Sequence, residues 1–254
     1  MYSEGQLIPV PDTKLTAFLF DAEHNTKCSL SINVNGMKLI HEIDALFLPC
    51  NNSLASPNYP LFPVFSSRCH GAYRGAVRLL LGGQATETYA LLRLAIENAL
   101  YAVYTGDNER AELWAQRGNS PKHAKQIRHD FTVGKMRECL ARIDSQLAAS
   151  VNQLYEMSID FGAHPNVDGH VASSELTESE VTSDFLAPGT LFWKNTVQRL
   201  VRCGSVCLKV LSATPQSRFD LGTRTGINEL YDLTGAFKEF KSEVAQAEAC
   251  GSGS

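Results

Sequence analysis

The chain contains none of the short motifs that mark the common catalytic centres. A glycine-rich phosphate loop, a G-x-S-x-G nucleophile turn and an H-E-x-x-H zinc helix are all absent from its 254 residues. Its seven cysteines include no C-x-x-C pair, which argues against a zinc ribbon or a dithiol redox site. We therefore expect neither a metal nor a cofactor.

Long apolar runs are absent as well. The most apolar stretch, residues 185–213, is too polar to predict a membrane span. Charged and amide side chains interrupt it at Lys194, Gln198, Arg199, Arg202 and Lys209. The opening residues, MYSEGQLIPVPDTK, lack a basic start followed by an apolar core, so we expect no signal peptide. Unpaired cysteines fit a reducing compartment, and we expect a cytoplasmic protein.

The chain has no large excess of positive or of negative charge. The formal net charge is −4, with 44% apolar and 20% charged residues, an ordinary globular composition. A mild negative balance argues against a general polyanion binder, although it permits a local basic patch. The densest basic run, residues 119–142, has few aromatic residues for base stacking, so we interpret it as a solvated helix face.

The first part of the chain, residues 1–65, is predicted to be an irregular segment packed on the core. Leu30, Ile32 and Val34 alternate with polar residues, and Asn35-Gly36 offers a tight turn, a pattern that predicts a short β-hairpin. Prolines then follow at positions that favour an extended connector: Pro49, Pro57, Pro60 and Pro63.

From residue 66 the apolar spacing becomes helical. A helix over 66–82 and a second over 84–105 are separated by Gly82-Gly83, which predicts an antiparallel helical hairpin. The second helix is apolar nearly all round, so we expect it to be central and buried. On it, Thr86, Arg93, Glu97 and Tyr104 fall within one narrow arc, because successive residues turn by 100°.

Further helices are predicted after Asp107, Ser120-Pro121 and Asp144, which are residues suited to capping a helix start. Residues 163–187 are polar and predict a long loop, and another helix follows over 189–213. The fold class is therefore mainly α. We expect a helical bundle domain over 66–215, a peripheral C-terminal helix within 216–250, and a tag or disordered end at 251–254.

Arg93 and Glu97 are the first candidate functional pair, because charged groups on a buried helix need partners. One interpretation is an internal ion pair that also involves Tyr104 or the next helix. The other is a pocket in which the arginine holds an anion and the glutamate acts as acid or base. The spacing alone leaves both open.

His164 is the second candidate, in the stretch SIDFGAHPNVDGH at residues 158–170. An imidazolium just beyond a helix end meets unsatisfied carbonyl groups, so His164 is suited to capping. General acid–base chemistry is the alternative role, and Asp160 could fix the tautomer of the ring in either role.

The runs GAVRLLLGGQATETYALLRLAIENALYA and LYEMSIDFGAHPN, with the segment around Trp114, resemble an uncharacterised bacterial all-helical family whose arrangement is similar to the HEPN superfamily. The resemblance covers about residues 66–215. Many HEPN proteins are metal-independent ribonucleases of toxin–antitoxin and defence systems that assemble their site across a homodimer. The resemblance thus implies an RNA or nucleotide ligand and a homodimer. Its motif histidine corresponds to His164, while Met157, Ser158 and Ile159 stand where the motif has an arginine.

Two hypotheses follow. In the first, the protein binds a nucleotide or RNA-like anion and acts as a divergent metal-independent ribonuclease, with His164 as base and Arg93 stabilising the phosphate charge. The proposed catalytic set is Arg93, Glu97, Asp160 and His164, and the proposed ligand-binding set is Arg74, Arg78, Tyr104 and Asn166. In the second, the same residues form a buried polar network in a non-catalytic scaffold or protein-interaction module.

Overall fold

The structure, a computed structural model, describes residues 13–32, 34–52, 61–163, 174–176, 181–183, 185–214 and 219–235. It is mainly helical. The described helices are α1 (Lys14–Ile32), α2 (Val34–Asn52), α3 (Leu61–Leu81), α4 (Ala85–Tyr104), α5 (Asn108–Ala115), α6 (Pro121–Asp130), α7 (Val133–Ile143), α8 (Ser145–Ser158), α9 (Leu191–Ala213) and α10 (Leu221–Gly235). A 3-10 turn, Gln116–Gly118, follows α5, and a π-helical turn, Ile159–Ala163, continues α8.

The hairpin of α3 and α4 forms the centre of the bundle, as predicted. Its turn depends on Gly83, whose φ of 99° is a conformation that side chains with a Cβ rarely adopt. Helix α4 contacts α3, α7, α8, α9 and the π-helical turn, so it is enclosed on most sides. Tyr89, Leu92 and Leu100 on α4 are almost fully buried, which confirms the prediction of a central helix.

The prediction of an irregular N-terminal segment with a β-hairpin is wrong for the described residues, because α1 and α2 occupy this region. Asn35-Gly36 lies in the first turn of α2, and Pro49 lies inside that helix. The decisive pattern is Met37, Ile40, Ile43 and Phe47, which are buried at helical spacing in the same core as α3, α4 and α9. This burial outweighs the local alternation that suggested strands.

The predicted helix starts are confirmed by their capping hydrogen bonds. The side chain of Asp107 accepts from two backbone N–H groups of α5, Ser120 accepts from the backbone of α6, and Asp144 accepts from that of α8. The helix that begins after Ser120 ends at Asp130, and a separate helix, α7, follows before Asp144. The break falls at Phe131-Thr132, where the hydroxyl of Thr132 caps α7.

The region 163–187, predicted to be a long loop, contains two short strands. Strand β1 (Ser174–Leu176) pairs antiparallel with β2 (Val181–Ser183), with Glu175 opposite Thr182. The chain then reaches the bundle again at Ala187, whose N–H donates to the carbonyl of Gly83 at 3.1 Å.

Helices α9 and α10 complete the described core. Trp193 near the start of α9 is buried, and its indole N–H donates to the carbonyl of Leu80 at 2.6 Å. Ile227 and Leu230 of α10 belong to the same hydrophobic cluster as α4 and α9. Among the described helices, none combines the length and the apolar character needed to cross a bilayer.

Candidate functional site

One face of α4 carries the candidate charges, and α8 runs antiparallel along it. Tyr155 of α8 contacts Glu97, while Gly162, beyond the end of α8, lies against Thr86 near the start of α4. The face of α4 predicted from the helical arc is therefore a real packing surface. In the sequence, the π-helical turn that follows α8 on this face is followed directly by His164, the second candidate.

Arg93 and Glu97 form an ion pair on this face. The Nε of Arg93 donates to Oε1 of Glu97 at 2.9 Å, and the hydroxyl of Tyr155 donates to the same oxygen at 3.2 Å. Their side chains remain 28% and 26% exposed, so the pair lies at the edge of the bundle and is not sealed inside it. The ion pair of the first interpretation is therefore present but only partly buried, because α8 covers only part of this face.

Two guanidinium groups, those of Arg93 and Arg137, make cation–π contacts with the ring of Tyr155. The carbon Cζ of Arg93 lies 5.2 Å from the ring centre, and that of Arg137 on α7 lies 5.7 Å from it. Arg137 also pairs with Glu156 at 3.0 Å and donates to Asn152. Burial and the nearby carboxylate of Glu97 raise the pKa of Tyr155, so its hydroxyl acts as a donor at neutral pH.

The π-helical turn after α8 packs closely on α4. A Cβ on Gly162 would overlap the carbonyl oxygen of Thr86 and lie 2.9 Å from Cβ of Tyr89, so only glycine allows this approach. Single π-helical turns occur frequently at functional sites. Asp160 is exposed on this turn.

His164 and Asn166, two of the predicted site residues, lie outside the described residues. The described range 61–163 ends at the residue before His164. The pairing of His164 with Arg93 or with Asp160 therefore stays a prediction.

The remaining predicted residues have other partners. Arg74 forms a two-bonded pair with Asp44 of α2, with distances of 2.7 and 2.8 Å, and Arg78 is exposed. The hydroxyl of Tyr104 donates to the backbone carbonyl of Asp130 at 3.0 Å. The contacts thus join Arg93 and Glu97 to α8, and join Arg74 to α2.

An arginine that was not predicted lies beside the π-helical turn. The Cζ of Arg199 on α9 is 4.4 Å from the ring centre of Phe161, and its Nη1 donates to the hydroxyl of Tyr89 at 2.8 Å. The sequence gives no signal for this contact, since Arg199 is far along the chain from both partners. From the sequence, Arg199 was noted only as one of the polar residues in the apolar stretch 185–213.

A separate polar cluster joins α2 to α3. Nε2 of His70 lies 2.6 Å from Oδ1 of Asp44, and the His70 ring stacks on Phe47 with ring centres 4.8 Å apart. The hydrogen bond from Arg74 lowers the pKa of Asp44 to about 2. Burial lowers the pKa of His70, and the bond to Asp44 opposes that effect only in part. The neutral imidazole therefore belongs to the folded state.

This cluster predicts a pH dependence of stability. Because the pKa of His70 is lowered on folding, the unfolded chain binds the proton more readily below about pH 6.5, and the free energy of unfolding should fall as the pH decreases from there. Denaturant titrations between about pH 7 and pH 5 should show a smaller fall in His70→Gln, which keeps an N–H for Asp44. The exposed His129→Gln is the control. Equal pH dependence of His70→Gln and the unsubstituted protein would contradict this assignment.

Within the described ranges, no group of three or more histidine, cysteine, aspartate or glutamate side chains is arranged to hold a metal ion. Comparison of the chain with protein-family models, with curated proteins and with solved structures gives no match in any of the three. The function must therefore be argued from the site itself.

Proposed function

We propose that the protein is a HEPN-like RNA-binding protein whose site lies along the α4 face that bears Arg93. The observation that carries the proposal is the packing of α8 and its π-helical turn along this face, where Tyr155 contacts Glu97 and Gly162 lies against Thr86. Arg93 supplies a partly exposed guanidinium, a group whose planar geometry suits phosphate. The resemblance to HEPN proteins supplies RNA as the expected ligand.

We further propose that the protein cleaves RNA without a metal. In this mechanism His164 takes the proton of a ribose 2′-hydroxyl, and the 2′-oxygen forms a bond to the adjacent phosphorus. The bond from phosphorus to the 5′-oxygen breaks, and that oxygen takes up a proton, which leaves a 2′,3′-cyclic phosphate. Arg93 stabilises the charge that develops on the phosphate oxygens, and Asp160 orients the imidazole.

The test is incubation of the purified protein with RNA in EDTA, followed by separation of the products. The unsubstituted protein should cleave, His164→Ala should bind RNA without cleaving it, and Arg93→Gln should bind more weakly. His129→Ala is the control because its ring is exposed on another helix, with 78% of the side chain accessible. Equal cleavage by the unsubstituted protein and His164→Ala, or no binding by either, would remove this proposal.

One observation favours a non-catalytic alternative. Glu97 accepts from both Arg93 and Tyr155 and so links α4 to α8, as expected for a polar network in a scaffold or protein-interaction module. If this is its main role, Arg93→Gln should lower stability by about 1 kcal/mol without any effect on RNA. Thermal melts of the same variants used for the RNA assay separate the two functions.

A further inference from the structure

Arg199 is a half-buried cation with few partners among the described residues. Its guanidinium lies over Phe161, and Nη1 donates to the hydroxyl of Tyr89 at 2.8 Å. The ion pairs among the described residues include none with Arg199, although the exposed Asp160 precedes Phe161 in the chain. A partly desolvated guanidinium is stable when anions or several acceptors satisfy its N–H groups, and the aromatic faces supply only part of that stabilisation.

Arg202, one turn further along α9, provides an internal comparison. Its Cζ lies 4.3 Å from the ring centre of Tyr231, nearly the same distance as between Arg199 and Phe161. However, Arg202 donates to three oxygen acceptors, on Tyr231, Thr234 and Ser150. Arg202 therefore makes three hydrogen bonds to described residues, whereas the described residues accept one hydrogen bond from Arg199.

The hydroxyl that holds Arg199 is itself fixed. Thr196 donates its proton to the carbonyl of Phe192 at 2.8 Å, so it accepts from Tyr89 at 3.1 Å. Tyr89 in turn uses its oxygen to accept from Arg199. The hydroxyl protons of Thr196 and Tyr89 are thus both engaged, so neither hydroxyl is free to turn away. The Tyr89 oxygen therefore stays in place as the acceptor that holds the guanidinium beside the π-helical turn.

We propose that Arg199 binds a phosphate group of the ligand at a subsite beside the π-helical turn. The inference rests on the proposed function and deepens it, because it supplies a cation from α9 where Met157, Ser158 and Ile159 provide none. A guanidinium presents parallel N–H groups to two phosphate oxygens, which matches the Arg199 donors that no described residue uses. Phe161 and Phe192, both partly exposed with ring centres 6.0 Å apart, provide apolar surface next to that phosphate.

The experiment compares Arg199→Gln with the matched control Arg202→Gln. Affinity for a short fluorescein-labelled oligouridylate is measured by anisotropy over a series of salt concentrations. Arg199→Gln should weaken binding by about tenfold and reduce the salt dependence by about one phosphate contact. Arg199→Lys, which keeps the charge and loses the planar fork, should restore the salt dependence but only part of the affinity. Arg202→Gln should retain both values, even if it melts earlier.

A second measurement separates this inference from the proposed function. Inorganic phosphate should raise the melting temperature of the unsubstituted protein and of Arg202→Gln, but not that of Arg199→Gln. If the oligouridylate binds the unsubstituted protein and Arg199→Gln equally, the phosphate subsite is wrong while the proposed function stands. If RNA does not bind but phosphate protects only proteins that contain Arg199, the proposed function fails and the subsite stands. Equal protection of all variants by phosphate, or protection of none, overturns the subsite.

Discussion

Replacement of Gly162 by alanine should lower the free energy of unfolding by about 3 kcal/mol, the upper part of the range for overpacking. The added Cβ would overlap the backbone carbonyl of Thr86 and press on Cβ of Tyr89. Neither atom is the end of a flexible side chain, so the π-helical turn must move away from α4. For a chain of this size, the corresponding loss in melting temperature is roughly 6 to 12 °C.

Gly134→Ala is the matched control, because that glycine is also helical and a Cβ there would meet nothing within 4 Å. The control should be neutral or slightly stabilising, since alanine favours helix. Amide hydrogen exchange should show faster opening of residues 155–163 in Gly162→Ala alone. An unchanged melting temperature in Gly162→Ala would contradict the close packing of this turn on α4. The same variant should also lose RNA binding if the proposed site is correct.

Replacement of Gly204 by alanine should cause a comparable loss, again about 3 kcal/mol. Its Cβ would lie 2.6 Å from Cε2 of Tyr73 and 2.7 Å from Cγ2 of Ile43. Both neighbours are almost fully buried, so neither can move without disturbing the core. The measurement is denaturant unfolding of Gly204→Ala. Its result reports on the junction of α2, α3 and α9.

The control for Gly204 is Gly71→Ala, in the middle of α3, where a Cβ would meet nothing within 4 Å. This substitution should stabilise the protein by about 0.5 to 1 kcal/mol. If Gly204→Ala and Gly71→Ala behave alike, the packing of α2 against α9 is not as described. Because α2 was not predicted from the sequence, this pair of variants also tests the largest correction to the fold.

The central hairpin could be predicted because its signals are local. The apolar spacing of α3 and α4 and the Gly82-Gly83 turn act within the segment that they define, and capping residues such as Asp107 mark helix starts directly. In α1 and α2 the local signals conflicted, because Asn35-Gly36 and the prolines indicated turns. There the helical state is stabilised by burial of residues such as Ile43 against α3 and α9, and such contacts are set by the whole fold.

The contacts of the candidate site also fall into local ones, which could be predicted, and long-range ones, which could not. The pair of Arg93 and Glu97 could be predicted because i, i+4 residues face each other on any helix. The assignment of Arg74 to the ligand-binding set did not anticipate Asp44, which comes from a helix that was not predicted. The contact between Arg199 and Phe161 joins two helical elements distant in sequence, and its spacing follows no periodic rule. Long-range contacts of this kind become visible only once the packing is known.

The central claim is that RNA lies along the α4 face, against α8 and its π-helical turn. The most direct measurement is photocrosslinking of RNA that contains 4-thiouridine, followed by mass spectrometry of the tryptic peptides. The account predicts saturable crosslinks to Phe161, which is partly exposed, within the peptide that spans residues 143–194. Crosslinks confined to α6, whose exposed cations are Lys122, Lys125 and Arg128, would contradict it, as would the absence of any saturable crosslink.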